Sequence, residues 1–306
     1  MGKLAIVTLV LLRLGIGWHF YQEGVTKIHD PSWSAEGFLT GSKGPLKPLF
    51  ESFVWDLDGR ARLNYAEKDG RPTIDLTRTT DVWDEFLVKV EDHYGFDDKQ
   101  KARAQKVNDA WVGQLKWYFD TNRDEIVEYF QGLDRRDANA KDAAKGEVES
   151  LRGQATKIAG ELSMKAGPWL ASVEKMWVGY SDELNAIATD EQRNAGAMAM
   201  GKPARRFLDT ETINVIIPYF DAIVGALLIL GLFTRLAALA GAGFLFSIVL
   251  TQWPGAPGAL PVYYQTIEML AMLVLAATAA GRFAGLDFVV HSLFKRCCNS
   301  DQGTNS

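Results

Sequence analysis

The fold is decided between residues 212 and 280, which read TINVIIPYFDAIVGALLILGLFTRLAALAGAGFLFSIVLTQWPGAPGALPVYYQTIEMLAMLVLAATAA. Three apolar runs lie in this stretch, at residues 213–233, 236–250 and 262–280. The connector GLFTRL and the loop PGAPG separate them. A helix crosses the roughly 30 Å apolar core of a bilayer in about 20 residues, so each run is predicted to be a membrane-spanning helix.

A further apolar run lies at the N-terminus, where Lys3 precedes residues 4–21. No small-x-small cleavage site follows it, and its apolar character resumes after Arg13. We interpret this run as an uncleaved membrane helix, with a removed signal peptide as the alternative. The predicted fold class is therefore all-α: a four-helix transmembrane bundle, with a mostly helical extracytoplasmic domain inserted after the first helix.

The average composition hides this organisation, because the mean hydropathy is only −0.07 and the charged residues make up 23% of the chain. Residues 30–210 carry most of the charge, with 26 Lys/Arg and 32 Asp/Glu. The predicted parts are a transmembrane helix at 1–29, an interfacial segment at 30–51, an extracytoplasmic helical domain at 52–210, transmembrane helices at 211–290 and a cytoplasmic tail at 291–306. Within the inserted domain, a hairpin with strands at 60–65 and 73–77 is expected around Lys68-Asp-Gly70, and Pro168 is expected to break a helix.

Basic residues predict the orientation. Those that flank the runs on one side are Lys3, Arg235, Arg282, Lys295 and Arg296, whereas the loop at 253–261 carries no charge. The positive-inside rule then places both termini in the cytoplasm and residues 30–210 outside an inner membrane. Cys297 and Cys298 fall in the cytoplasmic tail, which excludes a dithiol relay at the outer face for this chain alone.

Ionisable residues within the apolar runs are the candidate site, because such groups are costly in a bilayer and usually face the bundle interior. They are Arg13, His19, Glu23, Asp221 and Glu268. One hypothesis is a quinone or proton site in the outer half of the bundle. The other is a structural ion pair of Arg13 with Asp221 or Glu268. A b-type haem is disfavoured, because only His19 lies inside the bundle.

Four motifs resemble the DoxX/DoxD family of membrane proteins. They are LRLGIGWHFYQEGVTK at 12–27, GFL with GP at 37–45, LGLFTRLAALAGAG at 230–243, and GR with GLD at 281–287. The long insert sets this chain apart from compact members of the family. The resemblance implies a four-helix membrane subunit, often linked to redox work, and some relatives are subunits of thiosulfate:quinone oxidoreductase.

The leading functional hypothesis is therefore an integral inner-membrane subunit, redox-linked and interacting with quinone. The alternative is a non-enzymatic membrane anchor whose acidic helical domain docks an extracytoplasmic partner, and a transporter is a third, weaker option. No GxGxxG, Walker, HExxH or CxxC motif occurs, so no catalytic residue is assigned, no metal is expected, and quinone is the only candidate cofactor. The expected partners are the lipid bilayer, an extracytoplasmic or membrane redox protein and a second copy of the chain, but not nucleic acid.

Overall fold

The computed structural model of the protein describes residues 2–140, 149–278 and 280–288. Its helices, in chain order, are α1 (Lys3–His29), α2 (Glu36–Thr40), α3 (Lys47–Glu51), α4 (Thr77–Tyr94), α5 (Asp98–Ala140), α6 (Glu149–Asn185), α7 (Asp190–Arg193), α8 (Thr210–Leu230), α9 (Thr234–Thr251) and α10 (Tyr263–Thr278). Strands β1 (Tyr65–Lys68) and β2 (Arg71–Ile74) form an antiparallel hairpin. The all-α fold class is confirmed.

The chain forms two compact units, one from residues 1–55 with 206–306 and the other from residues 56–205. In the first unit, α1 packs along α8 and α9 packs along α10, while contacts between α8 and α9 and between α1 and α10 complete the bundle. The predicted tail at 291–306, with Cys297 and Cys298, lies outside the described residues.

Within the described part of the chain, three helices are long and apolar enough to cross a membrane: Lys3–His29, Thr210–Leu230 and Thr234–Thr251. The protein is thus a multi-pass membrane protein. The fourth predicted run corresponds to α10, whose 16 residues fall short of a full crossing by length. A fourth crossing therefore stays a prediction.

Small residues let α1 and α8 approach until their backbones touch. A Cβ atom built at Gly24 would lie 2.3 Å from the backbone nitrogen of Ala222, and one built at Gly225 would lie 2.3 Å from that of Tyr21. Such close helix pairs are typical of membrane proteins, where van der Waals contact between small residues drives association. The contact fixes the position of α1 relative to α8 and so determines which side chains meet between them.

The segment predicted to be interfacial covers one end of this bundle. Its buried residues Ala35, Leu39 and Phe50 pack with Ile213 at the start of α8 and Leu250 at the end of α9. The backbone NH of Lys43 donates to the carbonyl oxygen of Thr251 at 2.7 Å, and the side-chain amide of Gln252 donates to the carbonyl oxygen of Gly41 at 3.2 Å. These bonds tie the segment to the helix ends above the polar residues of the bundle.

The second unit has its own core. Helix α5 packs along α6, and both α4 and β2 contact α5. Trp83 and Tyr180 stack with ring centroids 4.5 Å apart, and the Tyr180 hydroxyl lies 2.8 Å from Oδ1 of Asn108. Burial raises the pKa of Tyr180, because the ionised form would lose its hydration.

Two local predictions for this unit need correction. The hairpin exists, but its strands lie closer to the turn at Asp69-Gly70 than the predicted strands at 60–65 and 73–77. Pro168 was expected to end a helix, yet it lies inside α6. The buried face formed by Ala166, Trp169 and Val173 continues across the proline, and its burial offsets the roughly 3 kcal/mol that a proline costs in a helix interior.

Candidate functional site

A stripe of charged residues follows one face of α1. His19, Glu23 and Lys27 are spaced four residues apart, so their side chains lie above one another on the helix. Nζ of Lys27 lies 3.3 Å from Oε2 of Glu23, and Nε2 of His19 lies 3.9 Å from Oε1 of Glu23. The stripe occupies the half of the helix that approaches the interfacial segment.

Helices α8 and α10 each bring a carboxylate to this stripe. Lys27 Nζ donates to Oδ2 of Asp221 at 2.7 Å, and Nδ1 of His19 lies 2.8 Å from Oε1 of Glu268. The Asp221 side chain is only 2% exposed and that of Glu268 11%, whereas those of His19 and Glu23 are 42% and 52% exposed. A chain of charged groups thus runs from the rim of the bundle to two buried carboxylates.

A cavity of about 100 Å³ lies among these groups. Its polar lining comes from His19, Glu23, Lys27, Asp221, Tyr264, Gln265 and Glu268, and its apolar lining comes from Phe20, Phe244, Leu245 and Ile248. The lining residues with the most exposed side chains belong to α1 and α10, so the cavity opens between these helices.

The charges at the cavity do not balance. Three carboxylates, Glu23, Asp221 and Glu268, surround the one ammonium group of Lys27, and His19 is the neighbouring imidazole. Two buried carboxylate oxygens, Oδ1 of Asp221 and Oε2 of Glu268, have no hydrogen-bond partner among the described residues. Buried oxygens of this kind can accept a proton or a hydrogen bond from a ligand.

Arg13 does not belong to this cluster, which corrects the expected ion pair with Asp221 or Glu268. Its guanidinium group, 1% exposed, instead donates to the carbonyl oxygens of Ala280 at 3.4 Å, Phe283 at 3.5 Å and Ala284 at 3.0 Å. These carbonyls lie where the chain leaves α10 and can no longer be satisfied by an extending helix. The five N–H donors of an arginine suit several carbonyls at once.

Residues of the motifs at 230–243 and 281–287 surround Arg13, and this close approach explains the glycines at positions 231 and 285. Both carboxylate oxygens of Asp287 accept hydrogen bonds, from the backbone NH groups of Phe233 at 2.7 Å and Thr234 at 3.0 Å, at the start of α9. A Cβ atom at Gly231 would lie 2.3 Å from the guanidinium of Arg13, and one at Gly285 would lie 2.5 Å from it. These contacts indicate that Arg13 and the two motifs hold together the end of α10 and the start of α9.

Lys27 is the main residue that the sequence analysis missed. It contacts both Asp221 and Glu23, and its spacing from His19 and Glu23 was a usable signal. The sequence placed it at the end of the first motif, beyond the apolar run. A lysine near a helix end can extend its chain along the helix while its ammonium group stays near the surface.

The comparison with protein families agrees with this architecture. Residues 204–302, about a third of the chain, match the family described as TQO small subunit DoxD. The match confirms the DoxX/DoxD-like resemblance over α8, α9 and α10, whereas the long insert and the N-terminal motif lie outside the matched range. No curated protein and no solved structure gave a significant match.

Proposed function

We propose that this DoxX/DoxD-like membrane protein is a redox-linked subunit of the inner membrane, and that its cavity receives the carbonyl edge of a quinone ring. The observation that carries the proposal is the chain of titratable groups from Glu268 through His19 and Glu23 to Lys27 and Asp221. Ionisable groups inside a membrane usually mark proton or substrate pathways. A quinone that gains electrons also gains protons, and it dissolves in the bilayer that these helices are long and apolar enough to span.

The residues at the cavity fit part of a quinone. Drug-sized ligand pockets are typically about 300–1,000 Å³, so a cavity of about 100 Å³ takes only the carbonyl edge of the ring. His19 and Lys27 carry N–H groups that can donate to such a carbonyl, and the hydroxyl of Tyr264 lines the same opening. The chain's own part in the chemistry is to orient the ring edge and to hold protons at His19 and the carboxylates.

The negative charges of the cavity residues indicate that the reductant binds at a different site. An anionic donor such as a sulfur oxyanion would meet Glu23, Asp221 and Glu268 against the single positive charge of Lys27, and like charges at such distances repel. Electrons would therefore reach the quinone from a redox partner in the membrane or outside it. The second unit, residues 56–205, is the candidate contact for an extracytoplasmic partner.

Quinone content tests this proposal. We expect the protein, purified from membranes in mild detergent, to retain quinone in its lipid extract. The variant His19→Phe should lose most of it, because the ring keeps its bulk but no longer bonds to Glu268. The matched control is His29→Phe, since His29 is exposed at the end of α1 and does not line the cavity. Equal quinone content in all three proteins would refute the assignment of the cavity.

A non-enzymatic membrane anchor is the second candidate function. It is favoured by a groove of about 520 Å³ in the second unit, whose lining includes the carboxylates Asp75, Asp84 and Asp109. Such a groove would suit a partner with basic residues. An extract without quinone, together with a soluble protein that copurifies in a fixed ratio, would favour the anchor over the redox subunit.

The orientation gives a separate prediction. Cysteines introduced at Lys157 and Gly258 should react with a membrane-impermeant thiol reagent in intact cells, and the native Cys297 and Cys298 should react only after lysis. Lys157 is largely exposed in the second unit, and Gly258 lies in the uncharged loop between α9 and α10. Labelling of the native cysteines before lysis would reverse the proposed topology.

A further inference from the structure

We propose that a second copy of this chain packs against α1, on the face that α1 turns away from the bundle. This open face consists of exposed residues spaced four and three apart along the helix: Leu4, Thr8, Leu11, Gly15, Trp18 and Gln22. Leu11 is 63% exposed and Trp18 58%. The alternating spacing puts these side chains in one stripe, which is the pattern by which two helices pair in a left-handed crossing.

Gln22 is the residue that requires a protein neighbour on this face. Its side-chain amide has two N–H donors and a carbonyl oxygen with two lone pairs. Although the residue lies on the surface of a helix long and apolar enough to cross a membrane, its amide has no hydrogen-bond partner in the described part of the chain. The open face is therefore not uniformly apolar, as a surface covered only by lipid would be.

The depth of Gln22 follows from the length of α1, which has 27 residues. A crossing of the apolar core takes about 20 residues, and every stretch of that length within Lys3–His29 contains residues 10–22. Gly15, Trp18 and Gln22 thus lie in the core wherever the helix is placed. Acyl chains offer neither donors nor acceptors, so an amide that faces them loses the hydrogen bonds it had in water.

A second copy supplies a partner for Gln22 at the same depth. The two copies of a cyclic dimer in a membrane are related by a twofold axis along the membrane normal, so the same patch is used on both. Because a glutamine amide both donates and accepts, two Gln22 side chains can bond to each other across this axis. Such bonds between polar side chains contribute to the association of membrane helices.

Gly15 makes room for the second helix. A Cβ atom built at Gly15 meets nothing within 4 Å, whereas one built at Gly17 or Gly24 would press into the backbone of α8. Packing within this chain thus accounts for Gly17 and Gly24 but not for Gly15, although glycine is unfavourable inside a helix. A small residue between Leu11 and Trp18 lets the backbone of a neighbouring helix approach closely.

The open face is separate from the polar cavity. His19, Glu23 and Lys27 lie on another stripe of α1, turned about 60–140° from Gln22 at 100° per residue. None of the residues of the open face lines the cavity. The inference therefore does not depend on the proposed function, and quinone content in Gln22→Leu should equal that of the wild type.

Disulfide cross-linking in native membranes tests the inference. Cys297 and Cys298, the only two native cysteines, are replaced by serine in the full-length chain. Single substitutions to cysteine on the open face, at position 11, 15, 18 or 22, should then give covalent dimers after oxidation. The matched controls are Leu14→Cys and Tyr21→Cys, which are also exposed but are turned about 100° from the open face. These controls should give little dimer.

A second variant tests the bond between the amides. Gln22→Leu keeps the size of the side chain but removes its donors and acceptor, so dimerisation in detergent should weaken roughly three- to thirtyfold, as measured by light scattering over a dilution series. Gln114→Leu, the same change at an exposed residue of the second unit, should have no effect. Equal cross-linking at control and open-face positions, or cross-linking of the open face to a different protein, would overturn the inference. So would a chain that stays monomeric in both experiments.

Discussion

Gly225→Ala is expected to break the packing of α1 on α8, although it adds a single methyl group. That methyl would lie 2.3 Å from the backbone nitrogen of Tyr21 and 2.6 Å from the carbonyl oxygen of Gly17. Neither atom can rotate away, so the helices must separate. Inserting a methyl into a packed core costs roughly 1–3 kcal/mol when side chains can adjust, and here the cost should lie at or above the upper end of that range.

Thermal unfolding in detergent would measure this effect, with Gly243→Ala as the matched control. Gly243 lies in a neighbouring helix of the same bundle, and a Cβ atom there meets nothing within 4 Å. A second pair on α1 repeats the comparison: Gly24→Ala should destabilise strongly, and Gly15→Ala, in open space, should not. If all four variants unfold at the same temperature, the close contact between α1 and α8 is wrong.

Arg13→Met is expected to destabilise the bundle by several kcal/mol, without changing the polar cavity. The substitution removes the charged donor of three carbonyl groups around Ala280, Phe283 and Ala284. Hydrogen bonds to charged groups contribute about 1.5–3 kcal/mol each, and a buried acceptor left without a donor costs further free energy. Arg13→Lys should recover little, because a single ammonium group cannot span the carbonyls. Arg235→Met, at an exposed arginine near the same turn, is the control.

A double-mutant cycle separates this role from the ion pair that the sequence suggested. Arg13→Met and Asp221→Asn should be additive in thermal unfolding, because the two residues share no contact. Lys27→Met and Asp221→Asn should instead show coupling of about 0.5–3 kcal/mol, since their charged atoms lie 2.7 Å apart. Strong coupling of Arg13 with Asp221 would restore the ion pair and contradict the structure.

The membrane helices could be predicted from the sequence because lipid imposes a simple length and composition rule. The runs at 213–233 and 236–250 became α8 (Thr210–Leu230) and α9 (Thr234–Thr251) with shifts of a few residues. Gly231 ends α8 with a positive φ of 65°, the left-handed conformation that glycine adopts most easily after a helix. Helix α10 is shorter than the apolar run at 262–280 from which it was predicted. An apolar run therefore predicts that a helix is present but not the residues at which it ends.

The candidate site was predictable only in part, because apolar runs show which polar residues are buried but not which atoms they meet. His19, Glu23, Asp221 and Glu268 do line one cavity. Arg13 was assigned a carboxylate partner because a buried cation needs one or more acceptors. The backbone carbonyl groups at the end of a helix are equally good acceptors. They cannot be recognised from the sequence, because every residue type has a backbone carbonyl group.

The points where the chain leaves the first unit for the second and returns to it lie side by side. The backbone NH of Trp55 donates to the hydroxyl of Thr210 at 3.1 Å, and Arg206 donates to the carbonyl oxygen of Ser52 at 2.7 Å. The two points where the inserted unit begins and ends are therefore bonded to each other. Sites with adjacent ends are those where whole domains can be gained or lost without rearranging the host. Residues 56–205 are thus inserted between two neighbouring points of the first unit, and we expect their deletion to leave those two ends close enough to be joined.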